Sequence, residues 1–91
     1  MVYADDVLQD MGARFTLRTW ALLMAVEREN GAMVATVEKS VSFYGAGFRR
    51  ELSYLEGAQA IKVYESPQDG RAKSVEITEN GQRLLALFQP S

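Results

Sequence analysis

The chain has 91 residues, 10 Lys and Arg against 12 Asp and Glu, and neither His nor Cys. A chain this short folds as one domain, burying about 60–65% of the surface it exposes when unfolded. The absence of Cys and His excludes disulfides, thiolate or imidazole metal sites, Cys nucleophiles and a histidine acid/base group. A formal charge of −2 gives no general attraction to polyanions, so nucleic-acid binding requires a local arrangement of charge.

Apolar residues at 47% and charged residues at 24% are ordinary globular values and argue against disorder. Residues 1–6, Met-Val-Tyr-Ala-Asp-Asp, have neither the basic start nor the apolar run of a signal peptide. The stretch from Trp20 to Val26 is too short to span a membrane, and a cytoplasmic protein is expected.

In chain order, Val2, Tyr3, Val7, Leu8 and Met11 recur at helical spacing and predict a short amphipathic helix within residues 1–13. Thr16 is placed to N-cap a second helix through Leu17, Trp20, Leu23 and Val26, ending near Asn30-Gly31. Its middle is apolar nearly all round, which predicts burial on several sides and places Trp20 in the core. Val34, Val37 and Val41 predict a helix of about two turns.

The next segment carries Phe48, Leu52 and Leu55 at i, i+4 and i+7 and leaves Arg49, Arg50, Ser53 and Tyr54 on the outer faces of a longer helix ending around Gly57. Gly45 and Gly47 make its start weak, since each costs about 1 kcal/mol relative to Ala inside a helix. Ile61, Val63 and Tyr64 form a β-prone run, residues 66–70 are dense in turn formers, and Val75 and Ile77 alternate with polar neighbours. Two strands joined by an exposed loop, within residues 61–78, follow. Thr78 then caps a last helix over 79–88, with Leu84, Leu85, Leu87 and Phe88 apolar.

A short helix followed through a turn by a longer one with a polar outer face is the layout of a helix-turn-helix, here residues 33–57. A β-hairpin directly after it makes a wing. The fold class expected is α+β, mainly helical: a winged helix-turn-helix with a two-stranded β-hairpin wing.

The stretch from Phe15 to Leu85 resembles the DNA-binding core of MarR-type transcriptional regulators. The resemblance rests on Leu17-Arg18-Thr19-Trp20-Ala21-Leu22-Leu23, on Leu55-Glu56, and above all on Asp69-Gly70-Arg71-Ala72 with Val75, Ile77-Thr78-Glu79 and Gly81 beyond. That last set is similar to the family's wing signature, Asp-x-Arg-(Ala/Ser), followed by a strand and a Leu-Thr-x-x-Gly helix start. The resemblance implies a sequence-specific regulator of double-stranded DNA, with the recognition helix in the major groove and the wing at the minor groove. The family's wing arginine, matched by Arg71, reaches the minor groove or its phosphates.

The expected DNA-binding residues are Tyr44, Gly45, Arg49, Arg50, Lys62, Arg71 and Lys73. A cation at a narrow hairpin tip enters a groove only about 6 Å wide, and Asp69 is placed to hold Arg71 by a charge-assisted contact. Arg49 and Arg50 suit guanine or phosphate, and the helix N-terminus beside Gly45 favours an anion. Tyr44 stands where the family commonly has a small polar residue; its ring packs either on a thymine methyl or sugar, or against Phe43. From Lys39 to Lys73 six cations face four anions, a net +2, whereas the rest has four against eight, a net −4. A modest electrostatic footprint follows.

Family members also carry a long C-terminal helix pair that forms the dimer with the N-terminal helix, and this sequence has one helix beyond the wing. A homodimer through the N- and C-terminal helices is expected, with Val2, Tyr3, Val7, Leu8, Met11, Leu84, Leu87 and Phe88 as its surface; the same residues equally suit the domain's own core. The competing reading is a winged-helix protein-interaction module that does not bind DNA. Enzymatic function is not expected, since Glu27, Glu29, Glu38 and Glu76 show no paired acid/base spacing and no phosphate loop is present. No cofactor, metal or membrane partner is expected, nor a small-molecule effector pocket.

Overall fold

The computed structural model describes residues 16–88. The helix expected within residues 1–13, with its five apolar candidates for a dimer surface, lies outside the described residues.

Helix α1, Leu17–Arg28, begins on Thr16, whose hydroxyl accepts the Thr19 N–H while the Thr19 side chain accepts the Thr16 N–H, closing a capping box. It ends before Gly31, which takes the left-handed conformation at φ +86°. The apolar middle has the expected consequence: Leu22, Leu23, Ala25 and Val26 are buried, and the helix packs against the three other helices and the second strand described below. Trp20 is half-buried against the same core.

Helix α2, Val34–Lys39, buries Val37, and helix α3, Gly45–Gly57, buries Phe48 and Leu55 with Leu52 partly covered. Strands β1, Ile61–Glu65, and β2, Lys73–Ile77, pair antiparallel with Ile61 opposite Ile77 and Val63 opposite Val75. Helix α4, Glu79–Phe88, closes the core with Leu84 and Leu85. Four helices and a two-stranded hairpin in this order form a winged helix-turn-helix, as the sequence predicts.

One expectation about burial needs correction. Tyr54, expected on the outer face of α3, packs against the core, because its position on the helix turns towards the elements beside α3 rather than away from them. Of the two places open to Leu84, dimer surface or the domain's own core, it takes the core and is fully buried, whereas Leu87 is 52% exposed.

The outer edge of β2 is fixed to the segment before α2. Gly31 N–H donates to the Val75 carbonyl and Val75 N–H to the Ala32 carbonyl, at 2.8 and 3.0 Å. The Asn30 side-chain oxygen accepts the Ile77 N–H at 2.7 Å. At the other end, Thr78 caps α4 by accepting the Gly81 N–H at 3.0 Å and donates its own hydroxyl to the Gln59 carbonyl at 2.7 Å.

Candidate nucleic-acid interface

The apolar stripe of α3 decides where its cations go. With Phe48 and Leu55 buried, Arg49 and Arg50 are carried to the open side, where both are exposed. Among the described residues the ion pairs are Arg71 with Asp69 and Arg83 with Glu79, so neither Arg49 nor Arg50 is neutralised by an acid. Glu51, the acid next in sequence, accepts a 2.8 Å hydrogen bond from the Thr19 hydroxyl of α1 and is thereby drawn off the open face. Ser53 and Glu56 are exposed on this helix as well.

The start of α3 is built differently from the expectation. Gly45 adopts φ +65°, and a Cβ there would meet nothing within 4 Å, so glycine is required by the backbone conformation and not by crowding. Its N–H is not left for a phosphate: it donates to a Glu38 carboxylate oxygen of α2 at 2.8 Å. The anion that this helix terminus favours is thus supplied by the protein itself. Tyr44 provides no side-chain cap and stands 81% exposed, so its ring does not close the turn against Phe43. Removing this charge-assisted cap with Glu38→Ala is expected to lower stability by about 1 kcal/mol, read as a lower urea midpoint at unchanged m; an unchanged midpoint would deny Glu38 a capping role.

The loop between β1 and β2 is organised by short-range bonds. Ser66 N–H donates to the Ala72 carbonyl at 3.0 Å, Ala72 N–H to the Asp69 carbonyl at 2.9 Å, and Arg71 N–H to the Asp69 side chain at 3.0 Å. The Arg71 guanidinium lies 3.8 Å from the same carboxylate, and its side chain is 96% exposed. Asp69 therefore shapes the loop chiefly through the backbone, since an exposed ion pair at this distance contributes little.

Lys62 and Lys73 are exposed but do not join into one patch. Strand alternation puts Lys62 on one face of the hairpin and Lys73 on the other, the side of Val75 and Ile77. Each also has an acid across the ladder, Glu76 opposite Lys62 and Glu65 opposite Lys73. Glu76 further accepts a 3.1 Å hydrogen bond from the Tyr64 hydroxyl. Partial burial, then this hydrogen bond and the carboxylate charge, push the Tyr64 phenol above its ordinary value. Of the seven sequence candidates, Tyr44, Gly45, Arg49 and Arg50 gather at α3, Arg71 stands at the loop, and the two lysines flank the hairpin.

Among the described residues no group of His, Cys, Asp or Glu is arranged to hold a metal, and no helix is long and apolar enough to cross a membrane.

No protein-family model matches this sequence, and no curated protein matches it. Solved structures do. The PcaV transcriptional regulator of Streptomyces coelicolor in complex with its natural ligand is 27% identical, with a TM-score of 0.74 over 78% of this chain and 50% of that one. MarR is 22% identical, with a TM-score of 0.76 over 94% of this chain and 61% of the other. A complex of S. aureus MepR with DNA is 24% identical, with a TM-score of 0.73 over 94% of this chain and 69% of MepR. The chain thus spans 50% of the PcaV chain in its ligand complex and 60% of that in a second PcaV structure. In element order, hairpin and helix-turn-helix, the chain has the winged-helix fold of these MarR-type regulators.

Proposed function

We propose that the chain is a sequence-specific, DNA-binding transcriptional regulator that places α3 in the major groove and the loop carrying Arg71 at the minor groove. The observation that carries this reading is the exposure of its arginines: Arg49 and Arg50 stand on the open face of α3 with no acid partner among the described residues, and Arg71, beside Asp69, is 96% exposed at the loop. Guanidinium groups so placed suit phosphate oxygens and guanine edges. The solved structures most like this one include MepR bound to DNA, which supports the same use of the fold here. Tyr44, beside the first turn of α3, offers a ring to a thymine methyl or a sugar.

Arg49→Ala and Arg71→Ala are each expected to weaken binding to duplex DNA roughly fivefold near 0.15 M salt and to lower the salt slope by about one, with the melting temperature unchanged. Fluorescence anisotropy across a salt series checks this, and wild-type affinity in both variants removes the assignment. One winged helix contacts one half-site, so high affinity calls for a second copy. Sedimentation of the full chain with and without DNA tests for a homodimer, to which the exposed Leu87 of α4 is the described candidate contributor.

A protein-interaction role is the second reading. It is favoured by the acids that face both wing lysines, which weaken the positive field along the hairpin. No salt-dependent DNA binding at low ionic strength would select it.

A further inference from the structure

We infer that Arg18, the second residue of α1, is a further DNA-contacting cation, held on the flank of α3 so that it meets a phosphate at the groove wall opposite the one that Arg49 approaches. The inference rests on the DNA-binding reading above and adds to it a residue from a different element.

Arg18 belongs to α1, yet its guanidinium is delivered to α3. Its terminal nitrogen lies 3.4 Å from where a Cβ would stand on Gly47, and its guanidinium carbon is 5.3 Å from the centre of the Phe43 ring. The residue is nevertheless exposed. Phe43 is 94% buried and tilted at 41° against Phe48, so the platform beneath the cation is part of the core and is fixed.

The angular arrangement around α3 gives Arg18 its meaning. At about 100° per residue, Arg49 and Gly47 lie to either side of the buried Phe48, and Arg50 points almost directly away from the core. Arg49 therefore serves one flank and Arg50 the crest. The other flank belongs to Gly47, which has no side chain, and Arg18 fills that position from the neighbouring helix. A helix lying in a groove about 12 Å wide has a phosphate ridge on both sides, and three guanidinium groups now cover crest and both flanks.

The manner of holding matters as much as the place. An aromatic face orients a guanidinium without cancelling its charge, whereas a carboxylate would do both. Ion pairs among the described residues do not include Arg18, and Glu51, the acid on the same side of α3, takes the Thr19 hydroxyl instead. Arg18 thus keeps its charge and its donors for an external oxyanion.

The test uses the full chain and a random-sequence DNA duplex, with affinity measured by anisotropy across a sodium chloride series for wild type, Arg18→Gln, Arg18→Met, Arg18→Lys and Arg50→Ala. Arg18→Gln and Arg18→Met are expected to weaken binding about fivefold near 0.15 M salt and to lower the salt slope by about one, as Arg50→Ala does, while Arg18→Lys keeps the slope. Arg18→Met retains an apolar stem over Phe43, so that it reports on charge with the packing preserved. Wild-type slopes in both neutral variants, alongside a lowered slope in Arg50→Ala, overturn the inference and leave the DNA-binding reading standing, with Arg18 reduced to a brace on Phe43. Absence of salt-dependent binding by the wild type overturns both.

Discussion

Gly81→Ala is expected to destabilise the protein by about 3 kcal/mol or more, the largest steric effect among the described glycines. A Cβ at Gly81 would stand 2.1 Å from the Ala60 carbonyl oxygen and 2.7 Å from Ile77 Cγ1. The first is a backbone atom, so no side-chain rotation relieves the clash, and that carbonyl already accepts the Thr78 N–H at 3.1 Å. Relief requires α4 to move off the β1 entry by about 1 Å, with loss of packing at Leu84 and Leu85. Helix propensity acts the other way, favouring Ala over Gly by about 1 kcal/mol. Steric overlap wins by magnitude. The melting temperature should fall by roughly 10–25 °C for a domain of this size, and a rise on thermal denaturation would show that propensity dominates and that α4 is not in close contact here.

Phe48→Ala is expected to cost about 3–5 kcal/mol, a large share of the roughly 5–15 kcal/mol that holds a small domain together. Phe48 is 1% exposed, its ring centre lies 6.2 Å from that of Phe43, and it anchors the stripe by which α3 meets the core. Truncation leaves a cavity under both Phe43 and the open face of α3. Tyr44→Ala, four residues earlier, provides the contrast: with 81% exposure its stability change should stay within about 0.5 kcal/mol. Urea unfolding of the pair separates packing from surface, and a Phe48→Ala midpoint close to that of Tyr44→Ala would contradict the assigned core.

Much of the fold is legible in the sequence because its elements are specified locally. The i, i+4, i+7 stripe of Phe48, Leu52 and Leu55 fixes α3, alternation around Val75 and Ile77 fixes β2, and Thr16 and Thr78 mark two helix starts within three residues of the groups they cap. The site is only half legible. Arg49, Arg50 and Arg71 follow from periodicity and from the wing signature, whereas the contacts that set their surroundings join residues distant in the chain. Thr19 and Glu51 are 32 positions apart, so nothing in the α3 pattern reveals that Glu51 leaves the open face. Glu38 lies seven residues before Gly45, across a bend whose geometry no propensity encodes, and its cap was therefore invisible. Arg18 reads as an ordinary charged residue of α1 until Phe43 and Gly47 are seen beside it. Tyr54 fails for the opposite reason: an amphipathic count treats its hydroxyl as polar, but its ring fits the edge of the core.

The hydrogen bonds from Gly31, Val75 and Ile77 that join the edge of β2 to the segment before α2 make the molecule behave as a caliper. One jaw is α3 and the other is the loop around Arg71, and the hinge between them is locked to the same scaffold that positions α2. On the proposed DNA-binding reading, a duplex engaged by both jaws presents its two grooves at a separation the protein sets in advance, so that sites differing only in uncontacted base pairs would be distinguished by how readily they twist or narrow to that gauge.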